Sequence, residues 1–512
     1  AATGSWRTFR LGLSVVGVIL VMVSGLEAAG LRPLGGGIDA RPGALLGNAT
    51  DQGLIGVVIA GVLAAPQKEP TAAVRWLQRA GFASAVLVVL LSASRAALAG
   101  LMVVVLAASV MWIRNRAAHG TPQNTHRLSV LALAFPVAVL LALALAALLV
   151  PPTRARLFDA GTIDGRWLLW DRTWNLVLDH VWTGVGPSGF VDVLPAYLDR
   201  VWAESVGDRF PTDSPHNWPL QLLVAGGFPL LLIATGSAIL FLRLAVANIR
   251  KTQDLPGRQH LVAALVAVVA YSLALLTHFT TPGTTGLVAF ICGGLVAADL
   301  NRPGKSAKAS AAAQRVRRSA GVAVAAAGLA VAIPATAAEW PMAAGVRAAN
   351  VGDAAGAEAS FEAAFRLRPW DSDTSLLAAQ AFAGPATSGN LAAATGALKW
   401  GNRALESTPQ SLEAGVAASI GSLYSGDAAG AKDRLDGLAA QAPSSAGVLV
   451  QRGVANFGLG RVAESIADLE NAASLDPSSD TPWLILAGIY QRLGDEVNAG
   501  KAMHRARLLG PR

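Results

Sequence analysis

Charge is scarce in this 512-residue chain: 14% of residues are Asp, Glu, Lys or Arg, against 53% that are hydrophobic. That balance excludes an ordinary soluble protein and puts much of the chain in lipid. Cysteine is nearly absent. The one thiol, Cys292, lies in an apolar run, which excludes a disulfide framework or a zinc cluster of several spaced thiolates and leaves the redox compartment unread. Acidic residues are missing from the middle of the apolar runs, where a transporter or flippase would bind coupling ions. No A-x-A cleavage pattern follows the first run, which starts almost at once after Ala1, so an N-terminally truncated chain is expected. The net charge of +8 does not signal nucleic acid, because the basic residues fall in short loops between apolar runs and report membrane orientation.

Apolar runs of about 18 residues or more are read as membrane-spanning helices, since hydrocarbon cannot satisfy exposed backbone groups. Nine are expected, at about 8–26, 48–66, 78–94, 96–113, 128–150, 219–243, 260–278, 283–300 and 318–338. Loops 67–77, 114–127, 244–259 and 301–317 carry the positive charge and alternate as cytoplasmic loops should, which places 27–47, 151–218 and everything after about 339 outside. Arg95, in "SASRAALAG", sits at the outer end of a tight helical hairpin, where it reaches water as a snorkelling side chain or holds an anion.

Toward the C-terminus, Pro409, Pro443, Pro477 and Pro511 recur every 34 residues, as do Gly426, Gly460 and Gly494. That is the tetratricopeptide period, two amphipathic helices per unit. An earlier unit ends at Pro369, 40 residues before Pro409, which predicts a short insertion near Gly384–Gly389 and about four units over 341–512. The fold class expected is all-α: a polytopic membrane domain, 1–338, followed by an extracytoplasmic α-solenoid, 339–512, that presents a binding or scaffolding surface and no catalytic set.

The long outer loop 151–218 is where chemistry is expected, because long loops on a rigid scaffold carry function. It holds six of the thirteen tryptophans. Indole rings suit both the membrane interface and sugar faces. With Asp164 as cap, "DGRWLLWDRTWNLVLDHVW" reads as an amphipathic helix in which Arg166, Trp170 and Trp174 share a face. A guanidinium there forks well onto phosphate, although a solvated surface arginine has the same signature. "GVGPSGF" spells G-x-G-x-x-G, yet it follows a helix and lies outside, so it is read as a tight turn bringing backbone close to a neighbour, or as one opening a helix whose free N–H groups attract an anion. His216, in "SPHNW", stands at the mouth of the next span and has the pKa of a general base, with Asp213 near enough to orient it or compete for it; a hydrogen-bonded turn residue is the plainer alternative. With no second histidine or carboxylate at ligand spacing, no metal is expected.

The order "SASRAALAG", then "GRWLLWDRTW…VWTGVGPSGF", then "SPHNWPLQLLVAGG" resembles the O-antigen ligase and O-antigen polymerase (Wzy-like) family of polytopic glycosyltransferases over roughly residues 45–300. Appended tetratricopeptide repeats fit that family. The resemblance implies metal-independent, cofactor-free transfer of a glycan from an undecaprenyl-diphosphate carrier to an acceptor hydroxyl, outside the bacterial plasma membrane. It places Arg166 on the family's loop arginine, His216 on its histidine before asparagine, and Arg95 on the arginine of its "SR" hairpin. Arg166 and Arg95 would then hold the diphosphate and His216 would take the acceptor's proton. Asn217 would position imidazole or sugar, Trp170 would meet the substrate, and Arg172 is held in reserve for phosphate. Two departures stand out: Ala225 and Gly226 precede Gly227 where the family often has an acid, and the family commonly has more spans before the segment matching 45–66, so further N-terminal helices are expected. Ligation, polymerisation and protein O-glycosylation share this chemistry and stay open, as does a non-enzymatic scaffold whose repeats recruit an envelope protein.

Overall fold

Hydrocarbon leaves a chain no backbone partner but its own, and in the computed structural model all regular secondary structure is helical among the residues it describes, 2–32, 42–65, 71–119, 161–187, 189–207, 212–297 and 311–509, with isolated helical positions between 137 and 154. Contacts divide the chain into two units, one of residues 1–166, 215–222 and 229–310, the other of residues 167–214, 223–228 and 311–512.

The first unit is built on α1 (Ala2–Ala28), α2 (Ala49–Leu63), α3 (Ala72–Leu91), α4 (Arg95–His119), and the start of α5 (Gly161–Asp179). It also takes in most of α6 (Trp218–Lys251), then α7 (Leu255–Ala274) and α8 (Pro282–Ala297). Among the described residues six helices are long and apolar enough to cross a membrane, with α2 and α8 as shorter apolar helices. Together they coincide with eight of the nine expected spans; the ninth, 128–150, lies outside the described residues. The central helix is α2, buried along nearly its whole length. Small residues allow that. A methyl group on Gly61 would stand 2.7 Å from Ala267 Cβ and 2.8 Å from its Cα, and one on Gly53 would stand 2.5 Å from Ser92 Oγ. Close backbone approach of this kind replaces the hydrophobic driving force that lipid removes. Leu232, Ile233 and Leu240 of α6 point outward, exposed at 66%, 66% and 58%, as lipid-facing residues do.

The second unit carries the repeats. Five helix pairs follow Glu339: Glu339–Asn350 with Ala354–Leu367, Ser372–Thr387 with Leu391–Ser407, Leu412–Tyr424 with Ala428–Gln441, Ala446–Gly458 with Val462–Leu475, and Thr481–Arg492 with Glu496–Leu509. The expected four were intervals between prolines, one fewer than the units they bound. The periodic glycines close the first helix of each pair in left-handed backbone, Gly426 at φ 97° for example, and Asp427 then caps the second helix by accepting the Gly430 N–H. The 40-residue interval holds no loop insertion. Its extra residues lengthen both helices of that pair, to 16 and 17 residues. Inside, Trp400 is fully buried against Phe361 and Phe365, and its Nε1 donates to Glu358 at 2.7 Å.

Candidate functional site

Three segments of the first unit meet at His216. The first is the N-terminus of α6. Asn217 caps that helix, its Oδ1 accepting the Leu220 N–H at 3.1 Å while its Nδ2 donates to Leu276 O at 3.0 Å. Both polar ends of Asn217 therefore serve the local fold. The second is the 275–281 loop, stapled to α6 where Gln221 Oε1 accepts the Thr280 backbone and hydroxyl hydrogens, each at 3.3 Å. The third is the first turn of α2. There Asp51, 3% exposed, lies 3.3 Å from Nε2 of an equally buried His278 and accepts from Thr281 Oγ1 at 3.0 Å. The His278 ring is nearly parallel to that of His216, 16° between planes and 6.3 Å between centroids, and Phe279 lies beside both. Asp213, the acid adjacent in sequence, is exposed; the carboxylate brought to the histidines comes from 165 residues earlier in the chain.

The same α2 turn supports Arg95. Gly53 packs under the "SAS" turn between α3 and α4, where Ser94 Oγ accepts the Ala97 N–H and starts the helix that Arg95 opens. Among the described residues two non-glycines have positive φ, Ala93 at 50° and His216 at 49°. One lies in the hairpin before Arg95 and the other is the histidine itself. Left-handed backbone at such residues is strained, and strain of this kind concentrates at functional sites.

The second unit holds residues 167–214. Helix α5 starts at Gly161, three residues before the expected cap, so Asp164 lies in its first turn, where a carboxylate suits the helix dipole. Arg166 and Trp170 are half-buried, Trp174 is exposed, and Trp167 packs edge-on to Trp170 with centroids 5.0 Å apart. That contact joins neighbouring faces of the helix, so the aromatic surface is broader than the expected stripe. Arg172 is held by two carboxylates, Asp171 at 2.5 Å and Asp199 at 2.6 Å. Asp199 in turn caps the short helix Arg200–Ser205, whose Trp202 is 3% exposed and whose Ala203 packs into the repeat core with Leu449 and Leu469. A cavity of about 660 Å³ lies between residues 191–207 with Thr212 and the repeats, lined by Leu198, Trp202, Glu413, Ile420, Gln451 and Asp480. The repeats thus hold a segment of their own chain.

The "GVGPSGF" turn makes the close backbone approach. Helix α6 breaks at Gly226 and Gly227, and there Val185 N–H donates to Val224 O at 2.7 Å and Phe228 N–H to Val181 O at 2.9 Å. A methyl on Gly184 would lie 2.3 Å from Val224 O, and one on Gly227 would lie 2.4 Å from Val181 O. The position where the family often has an acid is here part of this small-residue crossing. The helix that follows, Phe190–Val193, is a single turn, too short for the anion site that was the other reading of the motif.

Residues 80–235 match the family model Wzy_C, O-antigen ligase. The match is narrower than the expected 45–300, and all six candidate residues, Arg95, Arg166, Trp170, Arg172, His216 and Asn217, fall inside it. It supports a glycan-transfer function in the membrane, and the apolar helices make this a multi-pass membrane protein. Among solved structures, TTC0263, a thermophilic TPR protein of Thermus thermophilus, is 22% identical with a TM-score of 0.30, covering 34% of this chain and 92% of its own. MamA 41-end from Desulfovibrio magneticus RS-1 is 20% identical with a TM-score of 0.27, covering 34% and 94%. The repeat architecture described above rests on this chain's own period and helix pairs. A search of curated proteins finds no match.

Proposed function

We propose that the chain transfers a glycan from an undecaprenyl-diphosphate carrier to an acceptor hydroxyl on the outer face of the bacterial plasma membrane, with 1–338 as the transferase domain and 339–512 as extracytoplasmic repeats. The observation that carries this is the placing of His216: strained backbone, the mouth of an apolar helix, and a segment that matches the O-antigen ligase model. His216 accepts the hydroxyl proton as the oxygen attacks the anomeric carbon; the carrier diphosphate leaves, its charge met by Arg166 and Arg95, with no metal or cofactor. Trp170 with Trp167 offers an apolar platform to a sugar face. Asn217 holds the histidine's segment in place. Arg172, held by Asp171 and Asp199, belongs to holding the loop. The finished product, a ligated glycan, a longer polymer or a glycosylated protein, depends on the acceptor that the same site admits.

The test is transfer in membranes containing full-length His216→Asn and Arg166→Ala. Asparagine tolerates left-handed backbone, so the first change removes the base and spares the turn. Loss of a general base should lower the rate by about 10²–10⁴-fold. Normal transfer by both inserted variants would overturn the site. A membrane-anchored scaffold is the competing reading, and the repeats' grip on residues 199–203 favours an intramolecular role for them instead.

A further inference from the structure

A carboxylate and an imidazole buried together in an apolar helical unit are expensive to keep. Replacing such a pair by apolar side chains is often neutral or stabilising, so folding alone gives little reason for Asp51 and His278. The plainer explanation is that Asp51 merely suits the positive end of α2, but Asn48 already caps that helix by accepting the Thr50 N–H at 2.7 Å. What the pair touches is more telling. Asp51 Oδ1 takes His278 Nε2 and the Thr281 hydroxyl, which fixes the imidazole and the 275–281 loop. Leu276 and Thr280 of that loop bind Asn217 and Gln221 on either side of the turn that leads into α6, and the His278 ring lies parallel to His216. A hydroxyl pair, Tyr271 with Thr284 at 2.8 Å, braces the loop from behind.

We propose that Asp51 and His278 are positioning residues for His216: the carboxylate locks His278 and its loop, the loop locks the first turn of α6, and the ring pair keeps the His216 imidazole turned to take the acceptor proton. The buried carboxylate also offsets the positive charge that His216 acquires as that proton arrives. This inference rests on the reading of His216 as the base.

A mutant cycle in the full-length protein separates the two claims. Transfer kinetics are measured for Asp51→Asn, His216→Asn and the double variant, with membrane insertion checked for each. Asp51→Asn should lower kcat by about 10–100-fold, the scale of losing an outer partner of a metal-bound histidine, with the donor KM nearly unchanged. The double variant should be no slower than His216→Asn, because the positioning pair acts only through that ring. Losses that multiply, or a normal kcat for Asp51→Asn, would overturn the positioning role and leave the base in place. Normal transfer by His216→Asn would overturn both. Should Asp51→Asn fail to insert, His278→Asn carries the same expectation, and failure of both to insert would assign the pair to folding and overturn the proposal.

Discussion

The two halves of this chain are both bundles of helices, yet opposite rules hold them together. In the membrane unit, α2 and α7 touch backbone to backbone at Gly61 and Ala267, and the buried polar side chains are tied down: Arg10 donates to Leu63 O and Ala65 O, Asn248 to Leu295 O and Val296 O. The repeats instead fill their core with Trp400, Phe361 and Phe382 and leave ions such as Lys399 and Arg403 against Glu362 within reach of water. Water drives large apolar side chains together and tolerates exposed charge; lipid does neither, so shape and backbone partners decide.

The sharpest way to break that contrast is to remove bulk from the repeats. Trp400→Ala should cost about 3–5 kcal/mol and unfold the repeat stack at lower denaturant, read by circular dichroism and tryptophan emission of the full chain in detergent. Adding bulk is the matching change in the membrane unit. Gly61→Val should cost about 1–3 kcal/mol by forcing α2 from α7, lowering the detergent melting temperature of that unit, while the same change at Gly437, which has open space around it, should do much less.

Smaller effects come from two carboxylates of the repeat-bearing unit whose pKa values are shifted in opposite directions. The Lys399 hydrogen bond, opposed by partial burial, lowers the pKa of Glu362; that contribution to stability is present above the ordinary carboxylate range and is lost as pH falls through the lowered value. Burial raises the pKa of Glu413, with the Gln380 hydrogen bond opposing and the Asp192 charge assisting; the folded form holds that proton more tightly, so stability falls as pH rises through the raised value. Glu362→Gln should therefore lower the melting temperature at pH 7 by about 2 °C and Glu413→Gln should raise it by a similar amount. The Glu413 difference should shrink as pH falls into the ordinary carboxylate range, and the Glu362 difference only as pH falls below it.

Much of this was legible in the sequence because it repeats or runs. The 34-residue spacing of glycine and proline located the helix pairs, and apolar runs located eight helices to within several residues of their ends. The glycines of "GVGPSGF" signalled a close approach, although not that the partner would be a break in α6. Asp51 and His278 left no such trace. Each is a single residue, and 227 positions separate them, so only the folding of α2 against the 275–281 loop makes them a pair. The docking of Arg200–Ser205 on the repeats was equally silent, since Ala203 looks like any residue in a half-apolar turn of helix until Leu449 and Leu469 are beside it. Nor did the spacing of Arg172 and Asp199 show that the arginine is already occupied.

The central claim is tested most directly by supplying the full-length protein, in liposomes, with undecaprenyl-diphosphate-linked glycan and an acceptor, and following release of the carrier together with growth of the acceptor. Coupled release and transfer are expected, and His216→Asn should lower both by about 10²–10⁴-fold. Full transfer by His216→Asn, or no transfer by the intact protein with any donor while deletion of 341–512 still produces an envelope defect, would contradict it.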